Sequence, residues 1–276
     1  MPNVDLTPQK LSSWRKIALG SWHSPGDPSV YGTVEFNASK LVERQKRWAE
    51  QKNAKAPTVT AITTRATALM LVRHPQINGL IRWGRIYNRK DVAIFLQTAV
   101  DEAGKDLSGF VIYEAEKKSL EQVMGEIASK AKAIREDRDP NFKKAKSTFG
   151  SIPAFAMRCV LNTMSFLLYT LNLDLSWAGL PKDPFGSVMI TSIGSLGMDE
   201  AYGPLVGYSR VPLLMAVGAV RERAVVLDGK LAIAPTFKIC VTFDHRFIDG
   251  VLGAKMVKTF RQLIETDAGL DELGLK

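Results

Sequence analysis

The sequence predicts one large domain of class α/β or α+β, with helices flanking a mostly antiparallel or mixed sheet. Three observations predict it. Short apolar runs at 30–37, 77–112 and 187–245 carry strand character and are broken by glycine and charged turns. Segments at 39–55, 58–73, 119–134 and 250–266 carry apolar residues at helical spacing. The two kinds of segment alternate along all 276 residues, with no repeat or low-complexity tract to divide them.

Each element has a local reason. Val30–Asn37 alternates as a strand does, and Asn37-Ala38-Ser39 opens a helix that sets Leu41, Val42 and Trp48 on one side. After Pro57 the alanine- and leucine-rich run to Arg73 reads as a second helix. His74-Pro75 closes it, because a residue before proline avoids helical angles. Residues 77–83, 92–100 and 109–115 read as strands, with turns at Gly84–Lys90 and Asp101–Ser108. Ser119 and Gln122 form a capping box ahead of a helix that aligns Leu120, Val123, Ile127 and Ile134. In the last third, 187–194, 211–220, 223–235 and 237–245 read as successive strands. Asp228-Gly229 is the strongest hairpin signal in the chain. A final helix at 250–266 sets Leu252, Met256, Phe260 and Leu263 on one face.

Composition narrows the function classes. Apolar content of 46% and charged content of 24% are those of a folded soluble domain. A net charge of +9 favours anionic partners, whether nucleic acid, anionic lipid or a phosphorylated small molecule. No zinc spacing or basic-aromatic motif supports a nucleic-acid binder. Cys159 and Cys240 sit in apolar runs and read as buried free thiols of a reducing compartment. The first sixteen residues contain no apolar core of a secretory signal, so a cytoplasmic location is expected.

Residues 152–175 stand apart: they are apolar nearly all round, interrupted by Arg158, Asn162 and Asn172. Two readings are open. One is a helix or helical hairpin buried in the core or at a subunit contact. The other is an element facing a membrane or a partner protein, assisted by the positive net charge.

The search for a general base is short, because there are three histidines. His74 ends a helix before a proline, and His23 lies in a loop with no catalytic companion. His245 follows a long apolar strand within Asp244-His245-Arg246-Phe247-Ile248-Asp249-Gly250, where the chain must turn before a helix. Such junctions expose a group and still hold it firmly. A histidine near its unperturbed pKa can take a proton from a thiol at neutral pH. Asp244, Asp249 and Arg246 could fix its ring, although the same residues could merely tie off a strand end.

The heptapeptide resembles the DHRxxDG signature of the dihydrolipoyl acyltransferase catalytic domain of 2-oxoacid dehydrogenase complexes, a family that shares the chloramphenicol acetyltransferase fold. Residues 186–194, Gly-Ser-Val-Met-Ile-Thr-Ser-Ile-Gly, resemble the family's strand G-T-F-T-I-[ST]-N-x-G, and 211–246 resemble the run from that strand into the histidine motif. Ser13–Ala18 and His74-Pro75-Gln76-Ile77-Asn78 resemble its opening helix and its H-P-x-x-N turn, so the likeness spans about residues 8–268.

The resemblance implies a trimer-forming mixed sheet flanked by helices, over a single catalytic domain at 1–276. It implies His245 as general base, and Asp249 as an organiser of the active-site loop, with Arg15 as its candidate ion-pair partner. It implies Thr191 as the hydroxyl that stabilises the oxyanion, with Ser192 next to it where the family has asparagine. The family's sites lie between subunits, and coenzyme A is the substrate that the basic charge would suit.

Three departures qualify the likeness. Lipoyl domain, peripheral-subunit-binding domain and Ala-Pro linker are absent from these residues, which points to a lipoyl carrier acting in trans or a free small acceptor. Ser108-Gly109-Phe110-Val111-Ile112 stands where the family's substrate strand reads G-L-x-V-P-V. An apolar insert at about 145–184 is longer than the family's connection, and could line an acyl pocket, cap a trimer face or touch a membrane. The alternative to an enzyme is a non-catalytic trimeric scaffold that recruits a partner or membrane through this insert.

Overall fold

The computed structural model describes residues 2–10, 28–99, 107–136, 152–227 and 229–276. Its centre is a mixed sheet of seven strands: β2 (Ser29–Asn37), β5 (Ile94–Ala99), β6 (Leu107–Ile112), β7 (Val188–Ser192), β8 (Leu213–Val217), β9 (Arg221–Leu227) and β10 (Lys230–Asp244). The order is β2-β10-β8-β7-β5-β6, and β9 pairs with the first half of β10. β7 runs parallel to β8 and to β5, and the other pairs are antiparallel. A second, three-stranded sheet joins β1 (Leu6–Pro8), β4 (Arg85–Arg89) and β3 (Gly79–Arg82) in the order β1-β4-β3.

The helices are α1 (Ser39–Lys52), α2 (Val59–Arg73), α3 (Leu120–Arg135), α4 (Ala154–Ser165), α5 (Gly250–Glu265) and α6 (Asp267–Leu273). α2 is buried along most of its length. The Thr58 hydroxyl accepts the Ala61 N–H, and the Thr64 and Thr67 hydroxyls donate back to the carbonyls of Thr60 and Thr63. A buried threonine is tolerated in this way, because its polar atom finds a partner inside its own helix. The expected capping box opens α3: the Ser119 hydroxyl accepts the Gln122 N–H at 3.2 Å, and Gln122 Oε1 accepts the Ser119 N–H at 2.8 Å. Alternate residues of the strands, Ile94, Leu96, Ile190, Met215 and Ile239 among them, meet the helices in one core. The other face carries Phe95, Met189 and Leu214 under Phe185 and Leu205.

Several expectations are corrected. The predicted turn at Gly84–Lys90 is mostly strand β4, and the reversal is confined to Trp83 and Gly84, both at positive φ. The predicted strands at 223–235 and 237–245 are β9 followed by one long β10 that continues through Pro235. Proline has no N–H to lose from the ladder, and the Pro235 carbonyl takes the Ala38 N–H at 2.8 Å. Leu227 and Lys230 pair across the expected hairpin, of which Asp228 lies outside the described residues. The apolar stretch 152–175 is neither a hairpin nor buried throughout. It is α4 followed by one π-helical turn at Phe166–Thr170, with Leu168 and Tyr169 buried against Val4 and Leu80 while Phe155 faces solvent. Among the described residues no helix is long and apolar enough to cross a membrane. Cys240 is buried as expected, but Cys159 is exposed on α4.

Candidate active site

β10, an interior strand, delivers His245 to one end of the sheet. The strand ends at Asp244, whose N–H donates to the Pro212 carbonyl, and the His245 N–H donates to the Pro28 carbonyl, both at 2.9 Å. The chain then reverses in one turn: the N–H groups of Phe247 and Ile248 both reach the Asp244 carbonyl. Phe247 and Ile248 are buried and anchor the turn in the core. Gly79 leaves the room this needs, since a Cβ there would stand 2.9 Å from the Phe247 ring.

The charged residues of the motif have distinct structural tasks. Asp244 is buried and takes both Nε (3.0 and 3.1 Å) and Nη2 (2.6 Å) of Arg246, as well as the Arg246 backbone N–H. This fork-to-carboxylate geometry is the strong form of an ion pair, and it clamps the turn around His245. Asp249 is the N-cap of α5, and its Oδ1 accepts the Leu252 N–H at 2.9 Å. Its expected partner Arg15 lies outside the described residues, as does His23. Asp249→Ala should lower stability by about 1 kcal/mol in denaturant unfolding, and Asp249→Asn by much less, since asparagine caps as well as aspartate. Equal losses for both variants would show that the carboxylate charge matters beyond the cap. His74 is the C-cap of α2, as its position before proline suggests, and its Nε2 lies 2.9 Å from the Thr259 hydroxyl. Burial first, then Lys255 and Arg73, hold its pKa below the ordinary histidine value.

Thr191 and Ser192 end β7, which begins from a fixed point. Asn78, in the turn after α2, donates to the carbonyls of Arg89 and Asp91 and accepts from the Ser187 hydroxyl just before the strand. Sequence reasoning singled out Asn78 only as part of a likeness, and its bond to Ser187 could not be read from the chain. Strand alternation puts Thr191 and Ser192 on opposite faces. Thr191 shares the face of Met189 and Phe95, and Ser192 the helix-covered face of Ile190.

His245 and Thr191 do not meet within one chain. Thr191 pairs with Ala216, and Ala216 with Cys240, so Thr191 is level with the middle of β10. His245 lies five residues further on, towards the end of the sheet where β7 begins. At about 3.3 Å per residue and about 4.8 Å between strands, the two are separated by roughly 15–20 Å. No side chain spans that gap.

The end of the sheet that carries His245 is also cationic. Arg210, at φ 56, is half buried, and burial first and the nearby Arg246 second hold its pKa below the ordinary arginine value. Its guanidinium donates to Ser165 Oγ at 3.0 Å, to Thr170 Oγ1 at 3.2 Å and to the Ile81 carbonyl.

Comparison with known proteins places this geometry. The chain is 24% identical over 241 residues to the dihydrolipoyllysine-residue acetyltransferase component of the acetoin cleaving system of Bacillus subtilis, covering 86% of the chain and 50% of that relative. It therefore spans about half the length of the curated relative it matches. Its fold matches a structure of Azotobacter vinelandii dihydrolipoamide acetyltransferase with a TM-score of 0.63 at 18% identity, covering 94% of this chain and 91% of that one. It also matches chloramphenicol acetyltransferase with a TM-score of 0.54 at 14% identity, covering 94% of this chain and 100% of that one. These structural likenesses establish the expected fold, a mixed sheet flanked by helices. The family is established separately: the model of the 2-oxoacid dehydrogenases acyltransferase (catalytic domain) matches residues 15–149 and 185–270, well over half of the sequence, and the chain belongs to that family.

Proposed function

We propose that the chain is an acyltransferase that moves an acyl group between coenzyme A and an acceptor thiol, with a dihydrolipoyl group supplied in trans as the first acceptor to try. The observation that carries the reading is the turn at Asp244–Gly250. There an imidazole is held at a strand-to-helix junction by an ion-pair clamp on one side and a helix cap on the other. In the proposed step His245 takes the proton of the attacking thiol, whose sulfur forms a bond to the thioester carbonyl carbon. Thr191 donates a hydrogen bond to the oxyanion. The tetrahedral intermediate collapses by breaking the bond to the leaving sulfur, which regains the proton from His245. The charge of +9 suits the phosphates of coenzyme A.

The separation of His245 from Thr191 supports a homo-oligomer, with a trimer as the form the family resemblance implies, in which the two residues meet across a subunit boundary. The structure studied in Azotobacter vinelandii concerned a serine, a histidine and an asparagine four positions after that histidine in the catalytic mechanism. Here Asp249 stands four positions after His245, and asparagine and aspartate share its capping chemistry. Exposed Phe155 and Trp177 support a protein or membrane contact of the segment around residues 152–175.

Subunit mixing tests the reading. His245→Ala and Thr191→Ala proteins, each inactive, are unfolded together and refolded at equal concentrations. Random trimers would pair an intact histidine with an intact threonine at about a quarter of boundaries, so about a quarter of wild-type transfer to dihydrolipoamide should return. A mixture as silent as its parents, from a wild type that is active, removes the shared site. A folded oligomer that neither binds coenzyme A nor transfers acetyl removes the acyltransferase and leaves the scaffold reading in its place.

A further inference from the structure

A cavity of about 360 Å³ lies between the Phe95 face of β5–β6, α4 and the segment that follows it. Phe95 and Val111 form its floor, Leu161 and Met164 of α4 one wall, and Phe185 and Tyr208 another. The rings are in contact: Phe185 lies 5.7 Å from Phe95 and 5.6 Å from Tyr208 between centroids. Gly109 permits the floor, because a Cβ there would fall inside the Phe95 ring. Lys130 closes one end but already has partners, the Val111 carbonyl and Glu126, each at 2.7 Å. A cavity of this size and lining is a small-molecule site, and it asks for an apolar occupant.

Its position says which one. Phe95 pairs with Met189, and Gln97, two residues along the same strand, pairs with Thr191. Residues two apart share a face, so the cavity floor and Thr191 lie on the same side of the sheet, about 7 Å apart along the strand. The wall from α4 is fixed by Arg210, which holds Ser165 and Thr170. That wall belongs to residues 150–184, which fall between the two segments matched by the family model.

We infer that this cavity receives the tail of the transferred acyl group, and that it selects an apolar acyl chain longer than acetyl. The inference rests on the acyltransferase reading for the word acyl, and on the geometry alone for the apolar tail. A thioester carbonyl at Thr191 would project its alkyl carbons along β5 into the floor at Phe95, whereas an acetyl methyl would leave the cavity unfilled.

The test uses the full chain and two probes that need no catalysis, the S-octyl and S-ethyl thioethers of N-acetylcysteamine, titrated by calorimetry. Octyl buries six more methylenes than ethyl, so it should bind at least about tenfold more tightly. Met164→Trp, which fills the cavity from α4, should erase that advantage. Val111→Phe fills it from the floor, beside Phe95, in case the first variant does not fold. In transfer assays the same variants should lose most octanoyl turnover and keep acetyl turnover within about twofold, since acetyl does not reach the filled space. Equal binding of the two thioethers by the wild type, or an octyl advantage that survives filling, overturns the inference. Octyl-selective binding abolished by filling, in a protein that transfers no acyl group at all, upholds the cavity and removes the acyltransferase reading instead.

Discussion

His245→Ala is expected to cut acyl transfer by about 10²–10⁴, the range that a positioned general base contributes. In free energy this is about 3–5 kcal/mol of transition-state stabilisation. The loss should fall on kcat, because the imidazole acts on a proton that moves only in the transition state. The fold should survive. The backbone bond from residue 245 to Pro28, the clamp between Asp244 and Arg246, and the Asp249 cap all persist without the imidazole. Steady-state kinetics with acetyl-coenzyme A and dihydrolipoamide, beside a denaturant melt, separate the two effects. Undiminished turnover by the folded variant would falsify the role given to His245. An Asp244→Ala variant makes a useful contrast. It removes the carboxylate that clamps Arg246 and loosens the turn, so it should lower stability and activity together, where His245→Ala lowers activity alone.

How far the sequence carried the reading depends on the range of the interaction. The heptapeptide from Asp244 to Gly250 is local, and its parts do what local chemistry demands: an ion pair two residues apart, a helix cap three residues before the amide that donates to it, and apolar residues between them that turn inward. The capping box at Ser119 and the hairpin across Asp228-Gly229 were legible for the same reason. β4 was not. Arg85-Ile-Tyr-Asn-Arg is flanked by charges and glycine and reads as a turn, and it becomes a strand because β1 and β3 supply partners on both sides. Pro235 misled in the opposite direction, since proline usually ends a strand and here passes through one. The exposure of Cys159 was hidden because α4 is apolar on more sides than it buries. The split between His245 and Thr191 was beyond local reasoning altogether. It follows from the order β10-β8-β7 and from the parallel pairing of β7 with β8, which sends the two strand ends in opposite directions.

Asp183→Ala should cost about 3–5 kcal/mol, the usual result of leaving one member of a buried ion pair without the other. Arg89 and Asp183, far apart in sequence, meet with side chains only 2% and 10% exposed. Nε and Nη2 of Arg89 reach the carboxylate at 2.8 and 3.2 Å, and Nη1 donates to the Gly79 carbonyl at 2.6 Å. The Asp183 N–H donates to Asn3, which itself donates to the Leu168 carbonyl. The pair thus joins the small sheet, through Arg89 and Gly79, to the segment that walls the cavity, and the Asp183 backbone ties in Asn3. Beside the pair, Tyr169 is buried, and burial first and Asp183 second hold its phenol well above the ordinary pKa, so it stays neutral there. With the aspartate gone, the buried Arg89 charge would remain near Tyr169 without its carboxylate. Urea unfolding should show the full loss for Asp183→Ala and a smaller one for the paired change Arg89→Met with Asp183→Leu, which removes both charges and keeps volume. If the single and paired variants lose equally, the pair acts through shape and hydrogen bonding, not through its charge. The cavity offers a second reading of the same experiment. Asp183 is flanked by Pro184 and Phe185, which line it, so a ligand seated there should recover part of the stability that Asp183→Ala removes. The S-octyl thioether should therefore raise the melting temperature of Asp183→Ala, and the S-ethyl thioether should not.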